Sequence, residues 1–333
     1  MPIPDLPLVT VAILAFNRRD ALAVNLEKVF EALDYPHERL EVIVVDNAST
    51  DGTAQMVRER FPQVHLIVSE ENTGIGGWNK AFEVGTGDWF LVLDDDCYVE
   101  GDALRRGLEA AREEDADLVS FSVQALDPDH LFTDWYRTGL LLFWGCAVLI
   151  SRRSLERIGG YDENLFIYAH ETDWTMRFLD QGFKHLYLPE VRAVHMKDLP
   201  TRRLDAHTRN VRNFGYMIGK LMRGRDVPVA LGAVLVRSIL HTIRYPSWWP
   251  SIVATLSGFR EGLKVRRPVG AAVSRLYRRN YLEFSSWISL WPRIAHVVVH
   301  RGEPGTEFVH AYWKRRPHLY PRERASLRLR ARV

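Results

Sequence analysis

Residues 8–16, LVTVAILAF, run apolar almost without interruption, the pattern of a strand covered on both faces. Apolar positions then recur at helical spacing at Leu22, Leu26, Val29, Phe30 and Leu33. The alternation continues. A strand over 41–46 ends in Asp46, a helix covers 53–60, and a third strand covers 64–68. A glycine-rich turn leads to a helix near 78–84, and a fourth strand over 89–93 runs into Asp94-Asp95-Asp96. A helix over 104–113 and a strand over 118–123 follow. Strands separated by helices predict βαβ units: an α/β fold, Rossmann-like, with a mostly parallel sheet flanked by helices. In such sheets ligands bind beyond the carboxyl ends of the strands. Asn17, Asp46, Asn47, Asn72 and Asp94–Asp96 all fall at that edge.

Further on the pattern predicts a polar loop at 127–136, a strand over 144–150 and a short helix over 153–158. A helix over 171–181, a strand over 185–188 and a loop over 189–198 complete this part. From about 201 the chain becomes helical and arginine-rich, with Trp248, Trp249, Trp287, Trp291 and Trp313. The change predicts a boundary near 200–210 and two domains, 1–205 and 206–333.

Charge sharpens that division. Residues 1–200 carry 18 Lys+Arg against 35 Asp+Glu, and residues 201–333 carry 26 against 7, which the net +2 of the whole chain conceals. An acidic front and a basic back suggest different partners. At 47% apolar and 26% charged, the 333-residue chain is a globular protein and not a disordered or fibrous one. Two cysteines, Cys97 and Cys146, are too few for a disulfide scaffold or a thiolate zinc site. The opening Met1-Pro2-Ile3-Pro4-Asp5 lacks a basic leader region, and no uncharged apolar stretch reaches the roughly 18 residues of a spanning helix. The expectation is a cytoplasmic protein. Neither a Gly-x-Ser-x-Gly elbow nor a His-Glu-x-x-His pair argues for a serine or zinc hydrolase.

The chemistry collects in a few segments. Three adjacent carboxylates repel one another, and a divalent cation such as Mg²⁺ or Mn²⁺ relieves that repulsion. In an extended segment Asp94 and Asp96 share a side and Asp95 points away. A solvated acidic turn is the competing reading. The turn Asn72-Thr73-Gly74-Ile75-Gly76-Gly77-Trp78-Asn79 precedes a helix, where backbone N–H groups can cradle phosphate, although an ordinary tight turn has the same composition. Asp46-Asn47-Ala48-Ser49 can cap the next helix or receive a nucleobase and ribose. Glu171 and Asp173 are two positions apart on one helix and point to different sides, with Arg177 four residues beyond Asp173. His195 is either structural or a ligand.

The order and spacing of VAILAFNR, VVDNASTDGT, ENTGIGGWN, FLVLDDD, GGYDENLF and HETDW resemble the inverting glycosyltransferases of family 2 over roughly residues 8–198. Within that family the chain is most similar to bacterial rhamnosyltransferases and galactofuranosyltransferases of cell-envelope glycans. The resemblance implies a GT-A fold and a nucleoside-diphosphate sugar donor, dTDP- or UDP-linked. It implies that Asn17, Arg18, Asp46, Asn47 and Ser49 lie at the base and ribose, and Asn72, Gly74, Gly77 and Asn79 near the diphosphate. It matches Asp94-Asp95-Asp96 to the D-x-D motif, with Asp94, Asp95 and Asp96 shared between ribose and metal, and His195 to a histidine that completes the metal site. The E-D-x-D motif of the family, whose second residue is the base, reads His170-Glu171-Thr172-Asp173 here. Glu171 takes the base position, with Asp173 as its rival.

The acceptor implied is a glycan or a polyprenyl-linked sugar, with a small molecule or a protein as the alternative. The basic, tryptophan-bearing second half suits an anionic membrane surface on the inner face of the cytoplasmic membrane, or a helical subdomain packed on the first. Two other classes compete. A sugar nucleotidyltransferase needs a cation at the glycine-rich turn, and Lys80 lies just after it. Nucleic-acid binding would explain the basic half but not the acidic strand ends, so no nucleic-acid partner is expected.

Overall fold

The computed structural model describes residues 6–125, 143–196, 204–241 and 248–284. Residues up to 196 form one compact unit and residues 204–284 another. The first unit is built on an eight-stranded sheet in the order β3-β2-β1-β4-β7-β6-β8-β5. Its strands are β1 (Val9–Ala15), β2 (Leu40–Asp46), β3 (His65–Val68), β4 (Trp89–Asp94), β5 (Cys97–Val99), β6 (Leu118–Ala125), β7 (Ala147–Ser151) and β8 (His185–His195). The helices between them are α1 (Arg19–Glu27), α2 (Thr53–Arg60), α3 (Gly77–Val84), α4 (Ala103–Glu114), α5 (Arg152–Ile158) and α6 (His170–Asp180).

The apolar run of β1 serves two faces. Val9, Val11 and Ile13 pack with Leu22, Leu26, Val57 and Leu104 on one side. Ala12 packs with Trp78, Ala81, Trp174 and Phe178 on the other. Period-two alternation inside a two-sided core needs apolar residues at every position, which is why the run is continuous. β1, β2, β3 and β4 are parallel, so Ala15, Asp46, Val68 and Asp94 finish at one edge.

Beyond β4 the expected mostly parallel sheet turns mixed. β7 runs antiparallel to both β4 and β6, and β5 antiparallel to β8, while β6 and β8 are parallel. The regular strand–helix rhythm that predicts parallel strands stops after α4, so no rule of that rhythm governs the second half of the sheet. β7 thereby delivers the chain before it to the end of β4, where the Asp94 N–H donates to the Cys146 carbonyl at 3.1 Å.

Two further elements depart from the sequence pattern. The expected loop at 189–198 is strand as far as His195, because β8 resumes pairing with β6 after an irregularity that sets Leu188 opposite Phe121 and Arg192 opposite Ser122. Pro189, in that irregular step, has no N–H to give a regular ladder. The three-residue β5 completes the edge. After Glu27 the first helix widens into a π-type turn over Lys28–Ala32. The predicted loop at 127–136 lies outside the described residues.

The second unit consists, among the described residues, of helices α7 (Leu204–Leu221), α8 (Asp226–His241), α9 (Trp248–Lys264) and α10 (Ala271–Phe284). Trp287, Trp291 and Trp313 lie outside the described residues.

Candidate active site

The ends of β1 and β2 are stitched together. Asn17 sits in the left-handed region at φ 53°, which asparagine tolerates better than most side chains. Its N–H donates to Ser49 Oγ at 2.9 Å, and its Oδ1 accepts from the Thr50 N–H at 2.8 Å. Asp46, buried at the end of β2, accepts the Ser49 N–H at 2.9 Å. The turn into α2 is held by Asp51, whose carboxylate accepts from the Thr53 N–H at 3.0 Å. Capping therefore falls to Asp51, and Asp46 stands at the strand end.

Asn47 reaches across to the glycine-rich turn. Its Nδ2 donates to Asn72 Oδ1 at 2.9 Å and to the Gly74 carbonyl at 3.0 Å, while its Oδ1 accepts from the Thr73 N–H at 3.1 Å. Asn72 in turn accepts from the Gly74 N–H at 2.8 Å. At Gly74 φ is +60°, and a Cβ there would lie 2.0 Å from the Phe166 carbonyl oxygen. That same oxygen accepts the Ile75 N–H at 2.7 Å. Gly77 is equally confined, since a Cβ would lie 2.3 Å from Leu14 Cδ1. Asn79 is engaged at both ends with Tyr161, donating to its carbonyl at 2.9 Å and accepting its N–H at 2.8 Å. The side-chain amides of Asn47 and Asn79 thus hold the turn in place. Lys80 donates to Ser69 Oγ at 2.7 Å, so its ammonium is committed to β3's exit rather than to the turn.

At the end of β4, Asp94, Asp96 and His195 bring one ligand atom each to within 4.8 Å of the others. β8 accounts for the histidine: His195 pairs with Cys97 of β5, one residue beyond Asp96. The Nε2 of His195 lies 3.5 Å from Asp96 Oδ1. Asp95 stands apart from this group, accepting the Phe16 N–H at 3.0 Å and facing Arg18 at 3.4 Å. Arg18 also pairs with Asp96. Both carboxylate oxygens of Asp96 are buried and accept no hydrogen bond, with Arg18 and His195 their cationic or cation-ready neighbours. Two carboxylates and an imidazole suit Mg²⁺ or Mn²⁺. The buried Asp96 oxygens without hydrogen bonds and the donor set of two carboxylates and an imidazole fit a divalent cation, which would take the place of Arg18 beside Asp96.

The segment entering α6 is strained. Phe166, Tyr168 and Ala169 have φ of 52°, 70° and 61°, conformations that cost energy without glycine and recur at functional sites. They turn the chain so that Glu171 stands beside Gly145, whose N–H lies 3.4 Å from Glu171 Oε1. The other oxygen is 3.4 Å from His170 Nδ1. His170 is buried against the rings of Tyr161 at 4.9 Å and Trp78 at 6.0 Å, and burial lowers its pKa, keeping it neutral. Tyr161 and Cys146 link Glu171 to the acidic group. Burial pushes the Tyr161 hydroxyl well up, and the charges of Glu171 and Asp94 add to that. The Cys146 thiol is raised first by its hydrogen bond with Cys97, then by burial, and it too feels both carboxylates. The Gly145–Cys146 step touches both, with its Gly145 N–H 3.4 Å from Glu171 Oε1 and its Cys146 carbonyl accepting the Asp94 N–H at 3.1 Å.

Asp173 is not brought there. Its side chain is 1% exposed and its Oδ2 lies 2.8 Å from Arg177 Nε. The rest of the Arg177 fork donates to the carbonyls of Ile158 and Gly160, both at 2.9 Å. Asp173 is thus committed to joining α6 to the chain after α5. Of the residues around Glu171, the sequence signalled His170 only as part of the motif. Gly145 and Cys146 carry no local pattern, and their neighbourhood follows from β7 running against β4.

Comparison with known proteins agrees with this geometry. Residues 10–172 match the model of Glycosyl transferase family 2. The chain is 26% identical over 227 residues to N-acetylglucosaminyl-diphospho-decaprenol L-rhamnosyltransferase of Mycobacterium tuberculosis, covering 54% of this chain and 74% of that protein. Its fold is similar to the mannosyltransferase PcManGT of Pyrobaculum calidifontis, solved with GDP-Man and Mn²⁺, with a TM-score of 0.56 at 20% identity, covering 96% of this chain and 87% of that one. It is also similar to S. aureus TarS, solved with UDP-GlcNAc, with a TM-score of 0.58 at 16% identity and 87% of each chain covered. With a GT-A type sheet and an acidic group at the end of β4, residues 10–172 form a domain of glycosyl transferase family 2, and the chain is a glycosyltransferase.

Proposed function

We propose that the chain moves a sugar, rhamnose or galactofuranose favoured, from a dTDP- or UDP-linked donor to a hydroxyl of a glycan or polyprenyl-linked acceptor, with inversion, in cell-envelope polysaccharide synthesis. The observation that supports this reading is the Asp94–Asp96–His195 group at the end of β4, joined through the Gly145–Cys146 step to Glu171. The M. tuberculosis relative, named for transfer of L-rhamnose to a diphospho-decaprenol-linked sugar, supports the donor and acceptor classes. A lipid-linked acceptor in turn places the protein on the inner membrane surface.

In this reading Asp46 and the backbone around Asn17 and Ser49 receive the base and ribose, and the turn at Gly74–Gly77, whose N–H groups donate to Asn72, Phe166, Thr73 and Gly74 within the chain, shapes the wall beside the diphosphate. Asp94, Asp96 and His195 would hold Mg²⁺ or Mn²⁺, which supplies positive charge beside the leaving diphosphate. Glu171 takes the proton of the acceptor hydroxyl as that oxygen bonds the anomeric carbon. The bond from that carbon to the diphosphate oxygen breaks, and its electron pair leaves with the nucleoside diphosphate. Neutral His170 stands 3.4 Å from one Glu171 oxygen without a hydrogen bond to it, and the Gly145 N–H faces the other.

Glu171→Gln tests this. A general base contributes about 10²–10⁴-fold, so turnover should fall by that factor while donor affinity stays near the parent value. Near-full turnover in the variant refutes the assignment.

A further inference from the structure

In the second unit α7 and α10 bury large side chains such as Met217, Ile218, Tyr277 and Tyr281, but α9 is inverted. On α9 the buried positions are Ser251, Thr255, Gly258 and Gly262, all small, and Thr255 returns its hydroxyl to the Ser251 carbonyl at 2.8 Å. These residues face α7 at backbone contact. A Cβ on Gly258 would lie 2.0 Å from the Arg212 carbonyl oxygen, and one on Gly262 2.0 Å from that of Tyr216. The opposite side of α9 carries Trp249, Val253, Leu256 and Leu263, exposed by 60%, 48%, 41% and 43%. Their spacing of four, three and seven residues makes them one stripe. α8 follows the plan in part, since it also buries Val234. Ala230, Ala233 and Ser238 are buried, and Val229 and Val236 are exposed by 37% and 50%.

A water-facing helix hides its large apolar residues and shows its polar ones. Small residues at the helix contact and large apolar ones outside is the arrangement of helices whose solvent is lipid. Among the described residues no helix is long and apolar enough to cross a membrane. Charge points the same way. Residues 204–284 carry fourteen Lys+Arg against four Asp+Glu. Two of those acids, Asp226 and Glu261, are paired with Arg278 and Arg212. Arg260 and Lys264 are exposed on the same side of α9 as the stripe.

From these observations we infer that the outer stripes of α8 and α9 form a docking face that lies in the surface of an anionic lipid bilayer, apolar side chains among the acyl chains and arginines at the headgroups. The inference deepens the lipid-linked acceptor proposed above. It is read by binding alone, so it fails or stands apart from any turnover result.

The test is flotation of the full chain with vesicles of phosphatidylcholine, with and without phosphatidylglycerol, at low and high salt. Wild type should float with the phosphatidylglycerol vesicles, less so at high salt. Val253→Asp combined with Leu256→Asp should weaken flotation at least about tenfold, with an unchanged melting temperature. The milder Leu256→Asn, expected to give a smaller loss, serves if the double variant does not fold. Protein that stays unbound with both vesicle types overturns the inference, as does a folded variant that floats like the parent. A concentration-dependent dimer that the substitutions abolish, with no vesicle binding, would assign the face to a second copy instead.

Discussion

Gly74→Ala probes the contact between the glycine-rich turn and the segment carrying Glu171. Two costs follow from its position. Alanine at φ +60° pays about 1–2 kcal/mol for the left-handed conformation. Its Cβ would also lie 2.0 Å from the Phe166 carbonyl oxygen, a backbone atom that cannot rotate aside. Moving that carbonyl away breaks the Ile75 N–H bond to it, worth about 1 kcal/mol. The sum is about 2–3 kcal/mol of stability. Gly101→Ala is the control, since φ is +57° there and nothing lies within 4 Å of the new Cβ. It should pay the conformational part alone. Urea unfolding of both variants measures the difference, and turnover per folded molecule measures the displacement of Glu171, five residues beyond Phe166. A shift of about 1 Å costs on the order of 10²-fold, so Gly74→Ala should lose activity while Gly101→Ala keeps it. Equal stability loss in the two variants, with full turnover in both, would refute the coupling of turn and loop.

Two further outcomes are expected. Asp173→Asn removes one partner of a buried pair, so it should cost about 3–5 kcal/mol in urea unfolding and leave turnover per folded molecule nearly intact; a stable but inactive variant would return Asp173 to the chemistry. Burial lowers His185 to about 3 from 6.5. Between those values the unfolded chain holds a proton that the folded one lacks, so its contribution is intact above 6.5 and declines as pH falls toward 3. The slope is at most about 1.4 kcal/mol per pH unit. His185→Gln should flatten that part of a stability–pH curve measured by urea unfolding, and an unchanged curve would contradict the burial argument.

The half of the sheet made by β1 to β4 is legible because its strands are apolar on both faces and its helices intervene at regular intervals. The same rhythm locates Asp46 and Asp94–Asp96 at one edge without any structure. Its loss after α4 leaves the direction of β7 unspecified although the strand itself is predicted over 144–150, and with the direction goes the approach of Gly145 and Cys146 to Glu171. β5 is too short for a period to register. β8 beyond Pro189 is hidden because proline and charge interrupt its alternation, so the sequence pattern reads a loop where a strand carries His195. The choice between Glu171 and Asp173 could not be made from helical spacing alone, which only puts them on different sides. The half-buried Arg177 fork shows which side Asp173 occupies.

The most direct test of the account is thermal unfolding of the full chain with UDP, dTDP and GDP, each with and without Mn²⁺, repeated with Asp96→Asn. Ligand at about 100 times its dissociation constant adds roughly 2.7 kcal/mol of stability. The account predicts an upward shift with UDP or dTDP that needs Mn²⁺ and disappears in Asp96→Asn. No shift with any nucleotide, or one indifferent to both the metal and the substitution, would contradict a metal-assisted nucleoside-diphosphate site at the end of β4.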